Sequence, residues 1–187
     1  EQATLVVDMD PQANCTSGFG IEVGSYKNSV YDVIIGKKNI NQCILKSKLD
    51  FLDVLPASAQ LVGAEIELVG MLTRESMLKE QLMDDKVQKK YKYIIIDSPP
   101  SLGLLTINVL TAAQSLIIPI QCEYYALEGL SQLLNTIRLV QKKLNKKLSI
   151  EGILATMFDS RLNLSKEVVK ELKEYFGDKV YKTAIHR

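Results

Sequence analysis

The chain has 187 residues, of which 47% are hydrophobic and 24% charged, and its formal net charge is +1. These values describe one globular domain with enough chain to bury a sizeable core, and they exclude a low-complexity tail. No apolar run approaches the roughly 20 residues of a membrane span, and the first residues lack the charged-then-apolar layout of a secretory leader.

Three cysteines, Cys15, Cys43 and Cys122, are widely spaced without a C-x-x-C pair, and His186 is the single histidine. That usage argues against a zinc site and a disulfide framework, and fits packed thiols in a reducing cytoplasm. The charge is uneven. Residues 1–130 carry 11 Lys/Arg and 16 Asp/Glu, whereas residues 131–187 carry 12 and 6. A basic half can attract a polyanion such as DNA; a set of solvated helix faces reads the same way.

In chain order, residues 4–7 form a short β-branched and apolar run, which predicts a buried strand. Residues 11–24 are rich in Asn, Ser, Thr and Gly and predict a loop. A short helix is expected over 30–35, and a strand over 50–55 stopped by Pro56. Apolar spacing predicts a helix over 59–69 ending near Gly70, and a second over 73–90. Residues 93–96 are the next buried strand, followed by a loop marked by Pro99, Pro100 and Gly103. A helix over 104–113 and a strand over 115–120 come next. The clearest helix covers 126–144, with Leu127, Leu130, Leu133, Leu134, Ile137, Val140 and Leu144 on one face. Lys142, Lys143, Lys146 and Lys147 cluster at its C-terminal end, where positive charge suits the dipole. A strand over 149–157, a helix from 164 to about 176 and a last strand over 180–185 complete the chain. Near-continuously apolar strands alternating with helices predict an α/β fold: a doubly wound, mainly parallel sheet flanked by helices on both faces.

Two of these strands end in acid. The first closes on Asp8 and Asp10 in TLVVDMDPQAN, and another on Asp97 in YKYIIIDSPPSLG. Carboxylates at the tips of buried parallel strands converge on the ligand crevice of such a sheet, where they can hold magnesium and position water. The alternative for any one of them is a turn or helix cap. Asp-x-Asp sends its carboxylates to opposite faces only while the strand continues, so one of Asp8 and Asp10 can be structural. The phosphate-cradling pattern G-x-x-x-x-G-K-[ST] occurs nowhere in these residues. The single Gly-Lys, Gly36-Lys37, is followed by Lys38.

Three separated segments, DMDPQANCTSGFGI, DSPPSLGLLTINVL and QCEYYALEGLSQLLNTIRLVQ, closely resemble the ParA/Soj chromosome- and plasmid-partitioning ATPases. These belong to the deviant Walker group of P-loop proteins that includes MinD. The likeness continues through TMFDSRLNLSKEVVKELKEYFGDKVYKT. It implies an ATPase using ATP and Mg2+. Asp10 would orient the attacking water from the first switch, with Asp8 and Pro11 beside it. Asp97 would hold Mg2+ through water. The second switch, which senses the γ-phosphate, would run from Ser98 through Pro99 to Gly103. Glu123 and Tyr124 would lie near the nucleotide or a dimer contact, ordinary loop packing being the other reading. Arg161, beside Lys166 and Lys170, would contact DNA without sequence preference. The implied partners are a second copy of the chain, a ParB-type protein and nonspecific DNA, with no membrane. The implied setting is cytoplasmic and nucleoid-associated.

Members of the family begin with a strand and a KGGVGKTT loop ahead of the stretch found here at residue 4. They continue past the last strand through I-P-R-N, where His186 stands in place of the proline. The resemblance therefore implies a single incomplete domain over 1–187 that lacks the first strand, the P-loop and the C-terminal helix. Such a chain alone is expected neither to bind ATP tightly nor to hydrolyse it, and to self-associate through an exposed sheet edge. Other readings stand beside this one. A MinD-like membrane-positioning ATPase would need a C-terminal amphipathic helix, and an inert scaffold fragment would explain the absent loop. A phosphoacceptor receiver fits poorly because Asp97 lies too far along the chain. The cysteine positions do not support an iron-protein relative.

Overall fold

The computed structural model describes residues 1–123 and 126–187, the side chains of residues 126–128 excepted. Its contacts divide it into two units, Glu1–Ala112 and Ala113–Arg187.

The first unit is built on a four-stranded sheet in the order β2-β3-β1-β4. Strand β1 (Thr4–Asp8) is central, flanked in parallel by β3 (Leu52–Leu55) and β4 (Tyr93–Asp97). The two-residue β2 (Leu45–Lys46) adds an antiparallel edge that sequence patterning did not reveal. The chain leaves β1 for one neighbour and later returns to the other. Its sheet therefore has a topological switch point at the carboxyl end of β1, where ligands bind in open α/β sheets.

One face of this sheet is covered by helices α2 (Val30–Ile34), α3 (Leu61–Val69), α4 (Met77–Leu82), α5 (Asp85–Lys90) and α6 (Leu104–Ala112). Leu5 and Val7 of β1 meet Leu61, Leu68, Leu78 and Leu105 in a continuous core. On the opposite face, Val6, Leu52 and Val54 are covered by Cys15, Phe19, Ile21 and Phe51. That cover stops short of β4, whose Tyr93 and Ile95 are 55% and 57% exposed. Burial on both faces, as the apolar run predicts, thus holds over β1 and β3 and not over this edge.

Helix α1 (Asn14–Gly18) stands where loop composition predicts none. The helix expected over 73–90 is two helices. Thr73 takes a positive φ of 55°. Asn108 of α6 accepts from Leu78 N–H and donates to the Arg74 carbonyl, holding the chain at the entrance to α4. The Asp84 carboxylate then accepts from Lys86 and Val87 N–H and starts α5 as a side-chain N-cap.

In the second unit, β5 (Ser115–Gln121) and β6 (Ser149–Thr156) pair in parallel, with an irregularity in register after Leu116. Helix α7 (Ala126–Lys143) buries Leu130, Leu134, Ile137 and Val140 at the predicted spacing, and α8 (Asn163–Phe176) buries Ser165, Val168 and Leu172. The strand expected over 180–185 is only two isolated bridges, Val180 to Ile153 and His186 to Phe158. A bend at Lys182 interrupts the ladder between Tyr181 N–H on Ile153 O and Ile185 N–H on Ala155 O.

Candidate switch site at the carboxyl edge of the sheet

Asp8 and Asp97 are direct neighbours across the β1–β4 ladder, each the last residue of its strand. They behave differently. Asp8 is fully buried. One of its oxygens accepts from Thr16 N–H at 2.8 Å and from Thr16 Oγ1 at 2.6 Å, and the other from Asp10 N–H at 3.1 Å. Thr16 Oγ1, also fully buried, in turn accepts from Ala57 N–H at 3.1 Å. The carboxylate therefore ties the β1 end, the start of α1 and the exit from β3 into one satisfied cluster. This explains α1: its backbone is held by a tertiary acceptor that composition cannot signal.

Because β1 ends at Asp8, Asp10 is not on the strand at all. It lies half-buried in the following turn, where its Oδ1 accepts from Gln12 N–H at 2.9 Å and its carbonyl from Ala13 N–H. Ala13 then takes a left-handed φ of 54°, an uncommon conformation for a residue with a Cβ. Asp97 is exposed at its strand end. Burial of its inner part, then the charges of Asp8 and Asp10, raise its carboxyl above the usual range, while Ser98 N–H opposes them. Ser98 is exposed, Pro99 buried and Gly103 half-buried. Gly103 leads into α6, where Thr106 Oγ1 donates to Ser101 O at 2.5 Å.

Three further residues belong to this neighbourhood without having announced themselves in the sequence. Cys15 has its thiol pushed up to about 12 by burial and by the charges of Asp8 and Asp97, which leaves it a neutral, poor nucleophile. Tyr26 donates its hydroxyl to the Ala57 carbonyl, and burial and Asp8 raise its ionisation above the usual range. Thr16 is the main donor to Asp8. The only available signal was its place one turn past the Asp-x-Asp.

The donor set fits a hard cation. It offers carboxylate oxygens crowded enough that a positive charge among them relieves repulsion. Among the described residues no group of three His, Cys, Asp or Glu is placed to chelate a metal by itself. Mg2+ does not require such a group, since it keeps several waters and takes one or two carboxylates together with phosphate oxygens. Residues 8–18 and 97–103 contain no Lys or Arg, so they offer carboxylates to a cation and no side-chain cation to a phosphate.

The other predicted residues lie in the second unit. Glu123 is exposed just after β5, with its N–H donating to Gln121 O at 2.8 Å. Tyr124 lies outside the described residues. Arg161 is 87% exposed and forks onto Asp159, with Nη2 to Oδ2 at 2.6 Å and Nε to Oδ1 at 3.0 Å. That contact holds the Asp159 carboxyl well below the usual range. Lys166 and Lys170 are exposed on α8.

Comparison with known proteins gives the arrangement its family. A family model described as an AAA domain matches residues 1–150. The chain is 58% identical over 183 residues to the sporulation initiation inhibitor protein Soj of Bacillus subtilis, covering 98% of this chain and 72% of that one. The chain belongs to the ParA/Soj family of partitioning ATPases. It is also 49% identical to the chromosome partitioning protein ParA of Myxococcus xanthus, covering all of this chain and 65% of the relative. It thus spans roughly two thirds to three quarters of the relatives' length. Among solved structures, cobyrinic acid a,c-diamide synthase of Mycobacterium smegmatis, with a bound ATP analog and magnesium, superposes with a TM-score of 0.92 at 36% identity. It matches the whole of this chain and 75% of its own. A plasmid partition protein of Borrelia burgdorferi gives a TM-score of 0.83 at 27% identity. The family is one of P-loop ATPases that use ATP and Mg2+, and its α/β fold is the one found here.

Proposed function

We propose that this chain is the switch-bearing part of an ATP-dependent DNA-segregation protein, both units belonging to one nucleotide-binding domain. The observation that carries this reading is the pair Asp10 and Asp97 at the switch point of the sheet, held over a locked Asp8. Bound MgATP supplies an electrophilic phosphorus and a counter-ion for the carboxylates. Phosphoryl transfer asks the protein for positioning and charge neutralisation more than for covalent chemistry. Asp97 would hold the cation through water. Asp10 sits outside the strand, with one oxygen engaged by Gln12 N–H and the other without a partner among the described residues, where it can orient a water. Asp8 does neither; it fixes the turn that carries Asp10. The Ser98–Gly103 segment follows Asp97 directly and senses the γ-phosphate, and Glu123 lies near the nucleotide or the dimer contact.

In this reading ATP brings two copies together, and the dimer binds DNA through its phosphates, using Arg161 with Lys166 and Lys170. A ParB-type partner then stimulates hydrolysis and release on the nucleoid, in the cytoplasm. The 187 residues alone, without a G-x-x-x-x-G-K-[ST] loop, neither bind MgATP tightly nor turn it over. Titration calorimetry on these residues and turnover by the full-length gene product test both statements. Asp10→Ala in the full-length product keeps nucleotide binding and loses about a hundredfold in turnover, the scale of a misplaced reactant. Undiminished turnover refutes the role given to Asp10.

A further inference from the structure

Away from the carboxylate pair, one buried acidic oxygen has no partner among the described residues. Glu65 Oε1, on α3, is shut off from solvent and receives no hydrogen bond from them. The other acid of that helix, Glu67, accepts from Tyr31 OH at 2.7 Å. Glu65 instead presses on the backbone of Gly103. A Cβ at that position would overlap Oε1 and lie 2.8 Å from Cδ and 3.1 Å from Oε2. The carboxylate occupies the space that any side chain at 103 would need.

Gly103 ends the loop that follows Asp97 and opens α6, its carbonyl accepting from Ile107 N–H at 3.1 Å. The first turn of a helix leaves N–H groups unpaired and favours a negative charge, and α6 has no acidic residue of its own there. Glu65 therefore brings a charge to the right place without meeting a donor. A buried acceptor in that condition costs free energy until a donor arrives. Pro99 and Pro100 have no N–H to give, which leaves the backbone of residues 101–105 as the nearest source along the chain.

We propose that Glu65 is a positioning residue for the loop 98–103. When the loop leaves the arrangement seen here, N–H groups at its end turn onto Glu65, and the carboxylate stabilises that second arrangement. The proposal rests on the reading of this loop as the segment that senses the γ-phosphate. It assigns α3 the task of biasing the loop between two states, with Gly103 as the point of contact.

The test uses the full-length gene product and its near-isosteric variant Glu65→Gln. Without nucleotide, Glu65→Gln melts no lower than wild type, because it removes a charge that has no donor. With MgATP its turnover falls about tenfold, an ordinary size for a coupling between two states. Its MgADP affinity is unchanged, and the MgATP-induced slowing of hydrogen exchange over residues 101–105 is lost. A lower melting temperature without nucleotide, with turnover and ADP affinity falling together, identifies a purely structural tie and overturns the proposal. Unchanged turnover and exchange overturn it as well. A second measurement needs no nucleotide: Gly103→Ala lowers the melting temperature more when Glu65 is present than in a Glu65→Ala background. Equal losses overturn the contact itself. Wild type without any MgATP turnover defeats the nucleotide-switch reading and this proposal with it, a result distinct from a silent Glu65→Gln in an active enzyme.

Discussion

Replacing Thr16 by Val tests the Asp8 cluster most directly. The two side chains have nearly the same shape, so no cavity opens. The change deletes the 2.6 Å hydroxyl bond to the Asp8 carboxylate and leaves Ala57 N–H without its 3.1 Å acceptor. A hydrogen bond to a charged group contributes about 1.5–3 kcal/mol, and an orphaned buried donor costs about 1–3 kcal/mol. Both atoms are fully enclosed on Thr16 and Asp8, so solvent cannot take over. The expected loss is about 3–5 kcal/mol, which for a chain of this size lowers the melting temperature by about 6–20 °C. Thr16→Ser keeps the hydroxyl, gives up one methyl and should lose only about 1 kcal/mol. Urea unfolding followed by circular dichroism measures the difference at an unchanged denaturant slope. A Thr16→Val chain within about 1 kcal/mol of Thr16→Ser refutes the reasoning. A double-mutant cycle with Asp8→Ala should show strong coupling, since the same bond is removed twice.

Asp53 supplies a pH test. Burial raises its carboxyl, but hydrogen bonds from Lys90 Nζ at 2.6 Å and Tyr91 OH at 2.7 Å outweigh that and leave it below the ordinary range. A carboxyl depressed in the folded state adds stability above its unfolded pKa of about 3.9 and loses it as pH falls through the folded value. Asp53→Asn should therefore flatten the acid limb of the stability curve below about pH 4, and parallel curves count against the pair. Asp97→Asn removes a carboxyl crowded by Asp8 and Asp10, so without Mg2+ it should melt slightly higher than wild type, by no more than about 1 kcal/mol at this exposed position. A lower melting temperature contradicts the crowding. In the full-length product, Arg161→Ala should weaken binding to any DNA sequence and reduce the salt slope by about 0.9. Asp159→Asn should do the reverse by freeing the guanidinium, and gel-shift titrations over a salt series decide both.

The strands were legible because their signal is local: β1, β3, β4, β5 and β6 are each short apolar runs, and the spacing of Leu130, Leu134, Ile137 and Val140 marks α7 without outside help. Elements that depend on a distant partner were not. Helix α1 exists around a carboxylate eight residues earlier in the chain. The start of α4 is held by Asn108, thirty residues beyond Leu78. Asp84, by contrast, was a readable N-cap inside what looked like one helix. At the site, the two strand ends could be read from their acids, but the division of labour could not. Asp8 and Asp10 are two residues apart and chemically identical, and only the end of β1 between them separates an enclosed anchor from a reachable carboxylate.

That separation has a consequence for how the chain tolerates variation. Changes at Asp8 or Thr16 strike the folded state, so in a cell they should surface as low abundance, with the polypeptide cleared before any chemistry is tested. Changes at Asp10 or Asp97 strike groups whose removal leaves the fold intact. On the proposed reading, in which these groups act on nucleotide and two copies pair, such variants should accumulate to normal levels as well-formed, inert copies able to pair with active ones. A mutational survey scored for both quantity and activity would divide this one acidic motif into two classes, a recessive one at residue 8 and a dominant-negative one at residues 10 and 97.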